Sequence, residues 1–319
     1  MTATPPRLMI IGATWEQVPL IRAAKDAGCF VLATDPGDAA EGLAIADETA
    51  KLDPRDLGRA LDIAREFRPD GITADECDYS HYAAVFLSSQ LGLPNDGLPA
   101  AQNTSNKLWM RQRCRDSHVL QPRFFPCRTV EEALDAVEII DWPVIVKPVD
   151  NRGAFGVNIA RNGDDLNAAF LDALMNAHSR EVIVEAYVEG THITVDGCVD
   201  QTGAHHNLAI ASKKVTAGDK PIIVEVTYPA EIGDAQRAHV LETNQQVIRA
   251  LGITGGLTHS EYIVDDRGRC FLVETANRGG GVLTSARIVP AVSGVDLSRL
   301  LIANALGQPY EGRPKPYDG

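Results

Sequence analysis

The chain has 319 residues, enough for one large domain or two to three smaller ones, and its hydrophobic content of 45% is ordinary for a globular protein. Its 43 acidic side chains outnumber 30 basic ones, and the net charge of −13 disfavours binding to nucleic acid or to an anionic membrane. The six cysteines form no C-x-x-C pair, which argues against a zinc site or a thioredoxin-type redox centre. Because neither a signal-peptide pattern nor an apolar run of transmembrane length is present, we expect a soluble cytoplasmic protein.

The first hundred residues alternate short apolar runs, typical of strands, with helical patterns. This alternation predicts an α/β domain with a doubly wound parallel sheet. Gly12 ends the first predicted strand, but the later glycines of the dinucleotide fingerprint are missing, with Thr14 in place of the second, which disfavours a nicotinamide or flavin cofactor. The predicted strands are residues 8–11, 30–33 and 71–73, and the predicted helices are residues 18–28, 57–67 and 79–91.

After a polar segment at 95–106, and clearly from residue 143 onward, hairpin patterns replace the βα alternation. Antiparallel pairs are predicted between 143–149 and 157–160, and between 193–199 and 208–212, so the second part is expected to be α+β with antiparallel sheets. Further helices are predicted at 107–117, 131–140, 234–251 and 297–306.

These changes of pattern predict two domains. The first is expected to span residues 1–104 and the second 105–307. Within the second, we expect a small lid-like subdomain at about 115–185 and a larger one at about 186–307. Residues 308–319 are polar and Pro-rich, and are expected to be loosely ordered.

A predicted hairpin near the end of the chain carries one glutamate on each strand. A two- or four-residue turn would place Glu261 opposite Leu272 and His259 opposite Glu274. Since opposed residues share a face and faces alternate with period two, Glu261 and Glu274 would be diagonal neighbours, about 7 Å apart. Like charges on a partly buried face need a cation between them, and carboxylates suit Mg²⁺. We therefore expect a metal here, with His259 as a hydrogen-bond partner rather than a ligand.

Lys147 lies in an otherwise apolar strand pattern, where a lysine needs an anion unless its head reaches solvent at the strand end. Gly153 and Gly156 follow, and their backbone freedom can aim N–H groups at an anion, while Arg152 adds charge. Alone this segment is a hairpin turn; directly after Lys147 it is predicted to cover a phosphate. It is not a Walker loop, because no Gly-Lys-Ser/Thr follows.

Residues 182–190 form a buried strand pattern that ends at Glu189-Gly190. Backbone groups at such a strand end can bind an adenine edge, and a carboxylate there can reach a ribose or an exocyclic amine.

These features follow one another in a specific order, and Arg278 comes directly after the paired glutamates. With a βα domain before them, they resemble the ATP-grasp superfamily of carboxylate–amine ligases over nearly the whole chain. The resemblance implies that Lys107, after Asn106, and Lys147 contact nucleotide phosphate, and that Arg278 steadies the transferred phosphoryl group or acyl phosphate. The other implied nucleotide contacts are Arg152, Gly153, Ala154, Phe155, Gly156, Val157, Glu185, Tyr187, Val188 and His192, and the implied metal ligands are Glu261, Glu274 and Asn277.

Two positions depart from the family's pattern. The last motif usually reads Glu-x-Asn-x-Arg, whereas Ala276 holds the amide position here. Asn277 is its candidate replacement, although strand alternation would turn this side chain to the other face. His192 stands where an acidic residue is common, two positions after the hinge glycine. We therefore expect one metal ion to bind more weakly and the ribose contact to differ.

The resemblance implies a two-step reaction that uses ATP and Mg²⁺, with Mn²⁺ as an alternative metal. A small-molecule carboxylate would attack the γ-phosphate to give an acyl phosphate, and an amine would then displace phosphate. Asp75, Glu76 and Asp78 are candidates to receive an ammonium group, or else form a solvated acidic loop, and the glycines after Arg278 are candidates to bind a carboxylate. We expect a homodimer, and no nucleic-acid or membrane partner.

Two other functions stay open. One is a bicarbonate-activating enzyme of the carboxylase or carbamoyl-phosphate type. The other is a nucleotide-binding regulatory or scaffold protein with degraded catalysis, which the altered Glu-x-Asn position motivates.

Overall fold

The computed structural model describes residues 4–151, 153–216, 222–310 and 312. The N-terminal part contains a four-stranded parallel sheet in the order β3-β2-β1-β4, with helices on both faces. Its carboxyl-terminal strand ends therefore open toward one edge, where ligands bind in open α/β sheets. The elements are β1 (Arg7–Ile11), α1 (Val18–Asp26), β2 (Phe30–Asp35), a 3₁₀ turn (Glu41–Ala44), β3 (Glu48–Lys51), α2 (Leu57–Phe67), β4 (Gly71–Thr73) and α3 (Asp78–Leu91).

A small antiparallel sheet follows, in the order β5-β8-β6-β7. Two helices, α6 and α7, cover one of its faces and bury a core that includes Phe170 and Leu166. The elements leading to and forming this layer are α4 (Leu98–Ser105), α5 (Lys107–Asp116), β5 (Phe124–Cys127), α6 (Val130–Ile140), β6 (Val144–Pro148), β7 (Asn158–Ala160), α7 (Gly163–Asn176) and β8 (Val182–Ala186).

The last layer is a five-stranded antiparallel sheet in the order β11-β10-β9-β12-β13. Alternate residues such as Ile193, Val195 and Tyr262 face α8 and form an apolar core, which leaves the other face free for polar side chains. Its elements are β9 (Thr191–Val199), β10 (His205–Val215), β11 (Ile223–Thr227), α8 (Asp234–Leu251), β12 (Leu257–Val264), β13 (Cys270–Ala276), a π-helical segment (Thr284–Ile288), α9 (Val289–Ser293) and α10 (Leu297–Ala305).

The predicted fold class is confirmed: a doubly wound parallel sheet precedes an α+β region with antiparallel sheets. The predicted hairpins 143–149 with 157–160 and 193–199 with 208–212 correspond to β6–β7 and β9–β10. All six cysteines are free and buried. Among the described residues, no single helix is long and apolar enough to cross a membrane, although the bent pair 284–293 and 297–305 meets the length and composition test together.

Several elements were missed by the sequence patterns. The polar segment at 95–106 contains α4, whose buried side is made of the small residues Ala100, Ala101 and Thr104 and so gives a weak helical signal. α7 was also missed, although Asn162 caps it by accepting from the amides of Asp164 and Asp165. Strands β3 and β11 are short and largely exposed, and β5 has only four residues, of which one is buried. Of the predicted loose tail, residues 311 and 313–319 lie outside the described residues.

Candidate active site

The face of the five-stranded sheet that points away from α8 carries a line of charged side chains across neighbouring strands. Register pairs Glu261 with Thr194, and His259 with Asp196, so β9 and β12 place these residues on one face. Lys213 on β10 pairs with His192 and extends the same face. Period-two alternation thus separates a polar face from the apolar face against α8.

Glu261 and Glu274 lie directly opposite each other on β12 and β13. The predicted register, with Glu261 opposite Leu272, is wrong, because the turn has five residues and a β-bulge separates the Glu261 pair from the Tyr262–Leu272 pair. Regular alternation would leave Glu274 on the core face with Leu272. The bulge inserts one residue and turns Glu274 onto the polar face. The expectation that the two glutamates share a face is confirmed.

Arg111 of α5 stabilises this bulge by hydrogen bonds to its backbone. Its guanidinium donates to the carbonyls of Leu272 at 3.0 Å and Val273 at 2.9 Å. It also forms a two-bond pair with Glu185, at 2.7 and 3.0 Å. Arg111 is 1% exposed, so these partners replace all the water that a guanidinium needs.

Each glutamate is paired with a lysine. Lys107 Nζ lies 2.9 Å from Glu274 Oε1, and Lys213 Nζ lies 2.6 Å from Glu261 Oε1. Burial alone would raise the pKa of Glu261, but Lys213 and His259 lower that pKa well below the ordinary range. Both glutamates are therefore held near positive charge, as oxygen ligands of a cation would be.

The donor set fits Mg²⁺ that also carries phosphate. The described residues contain no group of three or more His, Cys, Asp or Glu side chains arranged around a metal position. Mg²⁺ commonly binds through one or two carboxylates together with waters and substrate phosphates, which is what Glu261 and Glu274 can supply.

A buried hydrogen-bond chain supports Glu261. His259 Nδ1 lies 2.7 Å from Asp196 Oδ1, and His259 Nε2 lies 3.5 Å from Glu261 Oε1. Tyr228 donates to the other oxygen of Asp196 at 2.9 Å. Burial lowers the pKa of His259, but the Asp196 carboxylate outweighs it and raises that pKa above the ordinary value. His259 thus lies between Asp196 and Glu261. The predicted position of His259 opposite Glu274 is wrong, because Ala276 lies opposite His259 after the bulge.

Lys147 is buried on β6 and pairs with Glu185 Oε2 at 2.7 Å. Burial would raise the pKa of Glu185, but Arg111 and Lys147 lower it to about 2. Both oxygens of Glu185 are already bound inside the protein, by Arg111 and Lys147, so the nucleotide contact implied for Glu185 stays a prediction that requires one of these pairs to open. Glu185 fixes the position of Lys147.

The glycine-rich segment after β6 forms a turn with left-handed backbone at Gly153, Ala154 and Gly156. A Cβ at Gly156 would lie 2.9 Å from Asn176 Cβ, so this position needs glycine on steric grounds as well. Phe155 is 65% exposed and therefore does not shield the segment from water in this conformation. The predicted contact at Arg152 lies outside the described residues, and Val157 N donates back to Ala154 O at 3.2 Å.

The strand end at 187–190 is the segment that the resemblance assigns to adenine binding. Tyr187 N donates to Pro143 O, whereas the amide of Val188 makes no backbone hydrogen bond within the described part of the chain. Gly190 packs on β12 so closely that a Cβ would meet Val264 O. His192, at the edge of the polar face, is half-buried, and burial lowers its pKa. A neutral imidazole there can hydrogen-bond a ribose hydroxyl.

Arg278 connects the sheet to the N-terminal part. Its guanidinium pairs with both oxygens of Asp78, at 2.9 and 3.1 Å, and is largely buried. Burial would lower the pKa of Arg278, but Asp78 raises it, so the side chain stays charged. Asp78 is thus bound to Arg278 rather than forming part of a solvated loop.

The sequence suggested Asp75 and Glu76 as candidates to receive an ammonium group. In the structure they do not form an open site. Asp75 accepts from Gly279 N at 2.9 Å and from Ser285 Oγ at 2.7 Å, and Glu76 accepts from Leu283 N at 3.0 Å. Of the three glycine amides after Arg278 that were candidates for a substrate carboxylate, the amide of Gly279 is therefore already bound by Asp75. Burial and the neighbouring Asp75 raise the pKa of Glu76 to about 8.

The metal assignment of Asn277 is not supported by its geometry. Its Nδ2 donates to the carbonyls of Gly255 at 3.0 Å and Leu257 at 2.9 Å, away from the two glutamates. Ala276 pairs with His259 and so occupies the polar face in its place. Asn277 is therefore left out of the proposed metal site.

A cleft of about 640 Å³ opens beside these residues, between the carboxyl ends of the N-terminal strands and the glycine-rich segment. Gly12 and Thr14 line it, as predicted from the position of ligand sites in parallel sheets. Its charged lining residues in the described part of the chain are Glu16, Asp35, Glu41, Asp53, Arg55 and His178.

Sequence reasoning missed Arg111 and Asp196. Arg111 follows Lys107 by four residues, so the two share one side of α5, and both are buried. Asp196 interrupts an apolar run in β9 at an even spacing from His192. Charged residues that recur with the period of a buried face are a signal that could have identified Arg111 and Asp196. The sequence does not identify their partners, which come from distant segments of the chain.

Comparison with known proteins agrees with this geometry. The ATP-grasp domain family matches residues 140–286. The chain is 28% identical over 198 residues to formate-dependent phosphoribosylglycinamide formyltransferase of Prochlorococcus marinus, a match covering 59% of this chain and 49% of that protein. The chain thus spans about half the length of that relative. It is 26% identical to D-alanine–D-alanine ligase of Geotalea uraniireducens, over 79% of this chain and 83% of the ligase.

Solved structures share the fold. L-amino acid ligase from Bacillus licheniformis superposes with a TM-score of 0.80 at 22% identity, over 98% of this chain and 76% of that one. N5-carboxyaminoimidazole synthetase from Staphylococcus aureus, solved with ADP, superposes with a TM-score of 0.81 at 17% identity, over 97% and 79%. The ATP-grasp match over residues 140–286, the shared fold and the lysine, glycine and glutamate motifs all agree with the resemblance of this chain to the ATP-grasp superfamily of carboxylate–amine ligases.

Proposed function

We propose that this protein is an ATP-dependent ligase that activates a small-molecule carboxylate as an acyl phosphate and joins it to an amine. The observation that carries the proposal is the direct opposition of Glu261 and Glu274, each paired with a different lysine. Two carboxylates and two cations converge here from three strands and one helix. That arrangement suits a metal-bound polyphosphate, with Mg²⁺ neutralising charge on the transferred group.

The proposed nucleotide site uses residues on both sides of the small sheet. Lys107 and Lys147 would bind phosphate oxygens, the segment Gly153–Val157 together with Arg152 would cover them, and the backbone at Tyr187 and Val188 would bind adenine. His192 would contact the ribose. Binding would require Lys107 to leave Glu274, which frees that carboxylate for the metal.

The proposed chemistry needs no covalent enzyme intermediate. A substrate carboxylate oxygen bonds to the γ-phosphorus as the bond to ADP breaks, and the amine nitrogen then bonds to the acyl carbon as phosphate leaves and the amine loses a proton. Arg278 would neutralise the transferred phosphoryl group once its pair with Asp78 opens. Most of the rate enhancement would come from positioning and charge neutralisation.

The N-terminal cleft favours an amine-bearing substrate over a phosphorylated one. Four carboxylates line it, those of Glu16, Asp35, Glu41 and Asp53. Arg55 is the one arginine among its described lining residues, and it is already paired with Asp53 at 2.6 Å. A phosphoribosyl group would meet net negative charge here, whereas an ammonium group would be attracted. We therefore propose amino acids or similar amines as substrates.

A phosphate-release screen tests the function. Amino acids and small carboxylates, singly and in pairs, are supplied with Mg-ATP, and ADP release should require both an acid and an amine. Glu274→Gln should lower turnover by about a hundredfold or more, because one metal carboxylate is lost. Glu242→Gln, an exposed glutamate on α8, is the matched control and should turn over normally. Full activity in Glu274→Gln would refute the proposal.

The same screen separates the alternatives. ADP release that needs bicarbonate but no organic acid would indicate a bicarbonate-activating enzyme instead. ATP binding without turnover over the whole panel would indicate a nucleotide-binding protein without catalysis.

The remaining expectations stand as proposals of the same kind. We propose the domain division at residue 104, a cytoplasmic location and a homodimer. Exposed apolar side chains on the edge strand β11, at Ile223, Val224 and Val226, support self-association. Light scattering of the purified protein tests the homodimer directly.

A further inference from the structure

A second cavity, of about 500 Å³, lies between the N-terminal part and the five-stranded sheet. It is lined by α3 and β4 on one side, by α10 and the chain after it on another, and by the turns around residues 200 and 255. Its volume is within the range of small-molecule sites. None of the residues proposed to hold nucleotide or metal lines it, so it is separate from the site described above.

Several polar groups in this cavity have no partner. His81 Nε2 and Ser88 Oγ are buried without a hydrogen bond, and both residues line the cavity. The carboxylate of Asp96 accepts no hydrogen bond from the described residues, and its nearest charged neighbour is His81 Nδ1 at 4.0 Å. Buried polar groups are nearly always satisfied in folded proteins, so these two unsatisfied groups, together with the partly exposed Asp96 carboxylate beside them, indicate a missing occupant.

The charge of the cavity selects the kind of occupant. No lysine or arginine is found among its described lining residues, and its two carboxylates are those of Asp96 and Asp200. Asp200 is already bound to His206 at 2.7 Å and to amides of its own turn. Burial lowers the pKa of His81 to about 4, so this ring is neutral and does not balance Asp96. Asp96 is thus a mostly buried negative charge without a counter-ion.

Part of the remaining wall is polar, from Thr73, Asn95, Gln201, Thr254, Asn304 and Gln308, and part of it is apolar. Ile72, Val85, Leu301 and Ala305 line the cavity beside the polar groups. An occupant with a hydrocarbon body and one strong hydrogen-bond donor would satisfy both kinds of surface. A bare metal ion would leave the apolar walls uncovered.

We propose that this cavity binds a small organic cation, a primary ammonium group on a short aliphatic body, with the ammonium group on Asp96. The ammonium group has three donors, which match the Asp96 carboxylate and the acceptors Ser88 Oγ and His81 Nε2. The aliphatic body lies against the walls from α3 and α10.

The test uses n-butylammonium chloride and its neutral counterpart 1-butanol in isothermal titration calorimetry with the full chain, without ATP. At about pH 8, where Asp96 is ionised, n-butylammonium should bind saturably and more tightly than 1-butanol. Asp96→Asn should weaken n-butylammonium by about tenfold or more and leave 1-butanol unchanged. Ala84→Leu, which fills the cavity without changing its charge, should weaken both ligands.

Two controls isolate the cavity from other amine sites. Asp116→Asn removes an exposed carboxylate on α5 and should leave binding unchanged. Glu274→Gln alters the proposed ligase site and should also leave it unchanged, so failure of this proposal is distinguishable from failure of the ligase proposal.

Three results would overturn the inference. They are the absence of saturable n-butylammonium binding to the wild-type chain, equal affinity in Asp96→Asn, and unchanged affinity in Ala84→Leu. A KCl titration that reproduces the Asp96-dependent heat would also overturn it, by assigning the site to a metal cation.

Discussion

Arg111 gives the sharpest test of how this site is built. It is 1% exposed and makes four hydrogen bonds, two to Glu185 and one each to the carbonyls of Leu272 and Val273. Arg111→Ala removes one partner of a buried ion pair, which typically costs about 3–5 kcal/mol in the free energy of unfolding. Because Glu185 keeps Lys147 at 2.7 Å, we expect a loss near 3 kcal/mol, at the lower end of this range.

Urea unfolding followed by circular dichroism measures this loss. With a slope of about 3 kcal/mol per M, the midpoint of Arg111→Ala should fall by roughly 1 M. Arg115→Ala is the matched control on the same helix. Its side chain is 65% exposed and lies 3.8 Å from Asp116, so its loss should stay below about 0.5 kcal/mol. If the two variants unfold within about 1 kcal/mol of each other, the argument that Arg111 holds the bulge is wrong.

Three further predictions concern the junction with the N-terminal part and the metal face. Gly279→Ala should destabilise the fold by about 1–3 kcal/mol in urea, because its Cβ would meet the Ser285 side chain, whereas Gly281→Ala, whose nearest neighbour is 3.6 Å away, should be neutral. The folded pKa of Glu76, about 8, exceeds its ordinary value, so wild-type stability should fall as pH rises from about 5 to 8. Glu76→Gln should flatten that decline in thermal melts, and an unchanged slope would contradict it. His259→Asn should weaken Mg²⁺ activation of turnover by roughly tenfold, because Glu261, which His259 contacts, loses support. High Mg²⁺ should rescue this variant. Unaltered Mg²⁺ dependence would exclude the supporting role of His259.

Local sequence patterns were sufficient to predict most of the fold. The alternation of strands and helices before residue 95, and the hairpins after residue 143, are properties of short segments and were predicted correctly. The helices that escaped prediction show why such patterns fail. α4 is only eight residues long and buries small side chains, and α7 buries Leu166 and Phe170 only because the small sheet lies beneath it.

The candidate site shows the same division between what the sequence predicts and what only the structure shows. Lys107, Lys147 and the two glutamates stand out in the sequence because a charge in an apolar strand or at a helix start needs a partner. Their present partners do not follow from the sequence, since Lys107 and Glu274 are paired although they lie far apart in the chain. Glu185 illustrates this point. Its position in the motif suggested a contact with the nucleotide, but in the structure its carboxylate is paired with two cations from other segments of the chain.

The sequence by itself determined that Glu261 and Glu274 belong to one hairpin, and that an anion-binding lysine and a glycine turn precede them. Tertiary structure alone decided that Glu274 faces Glu261. That outcome depends on a one-residue bulge, and the bulge is held by Arg111, which is 161 positions before Leu272 in the chain. Period-two alternation is a local rule, whereas a bulge is stabilised by contacts that form only when distant segments pack. The sequence pattern therefore could not predict the register of this hairpin.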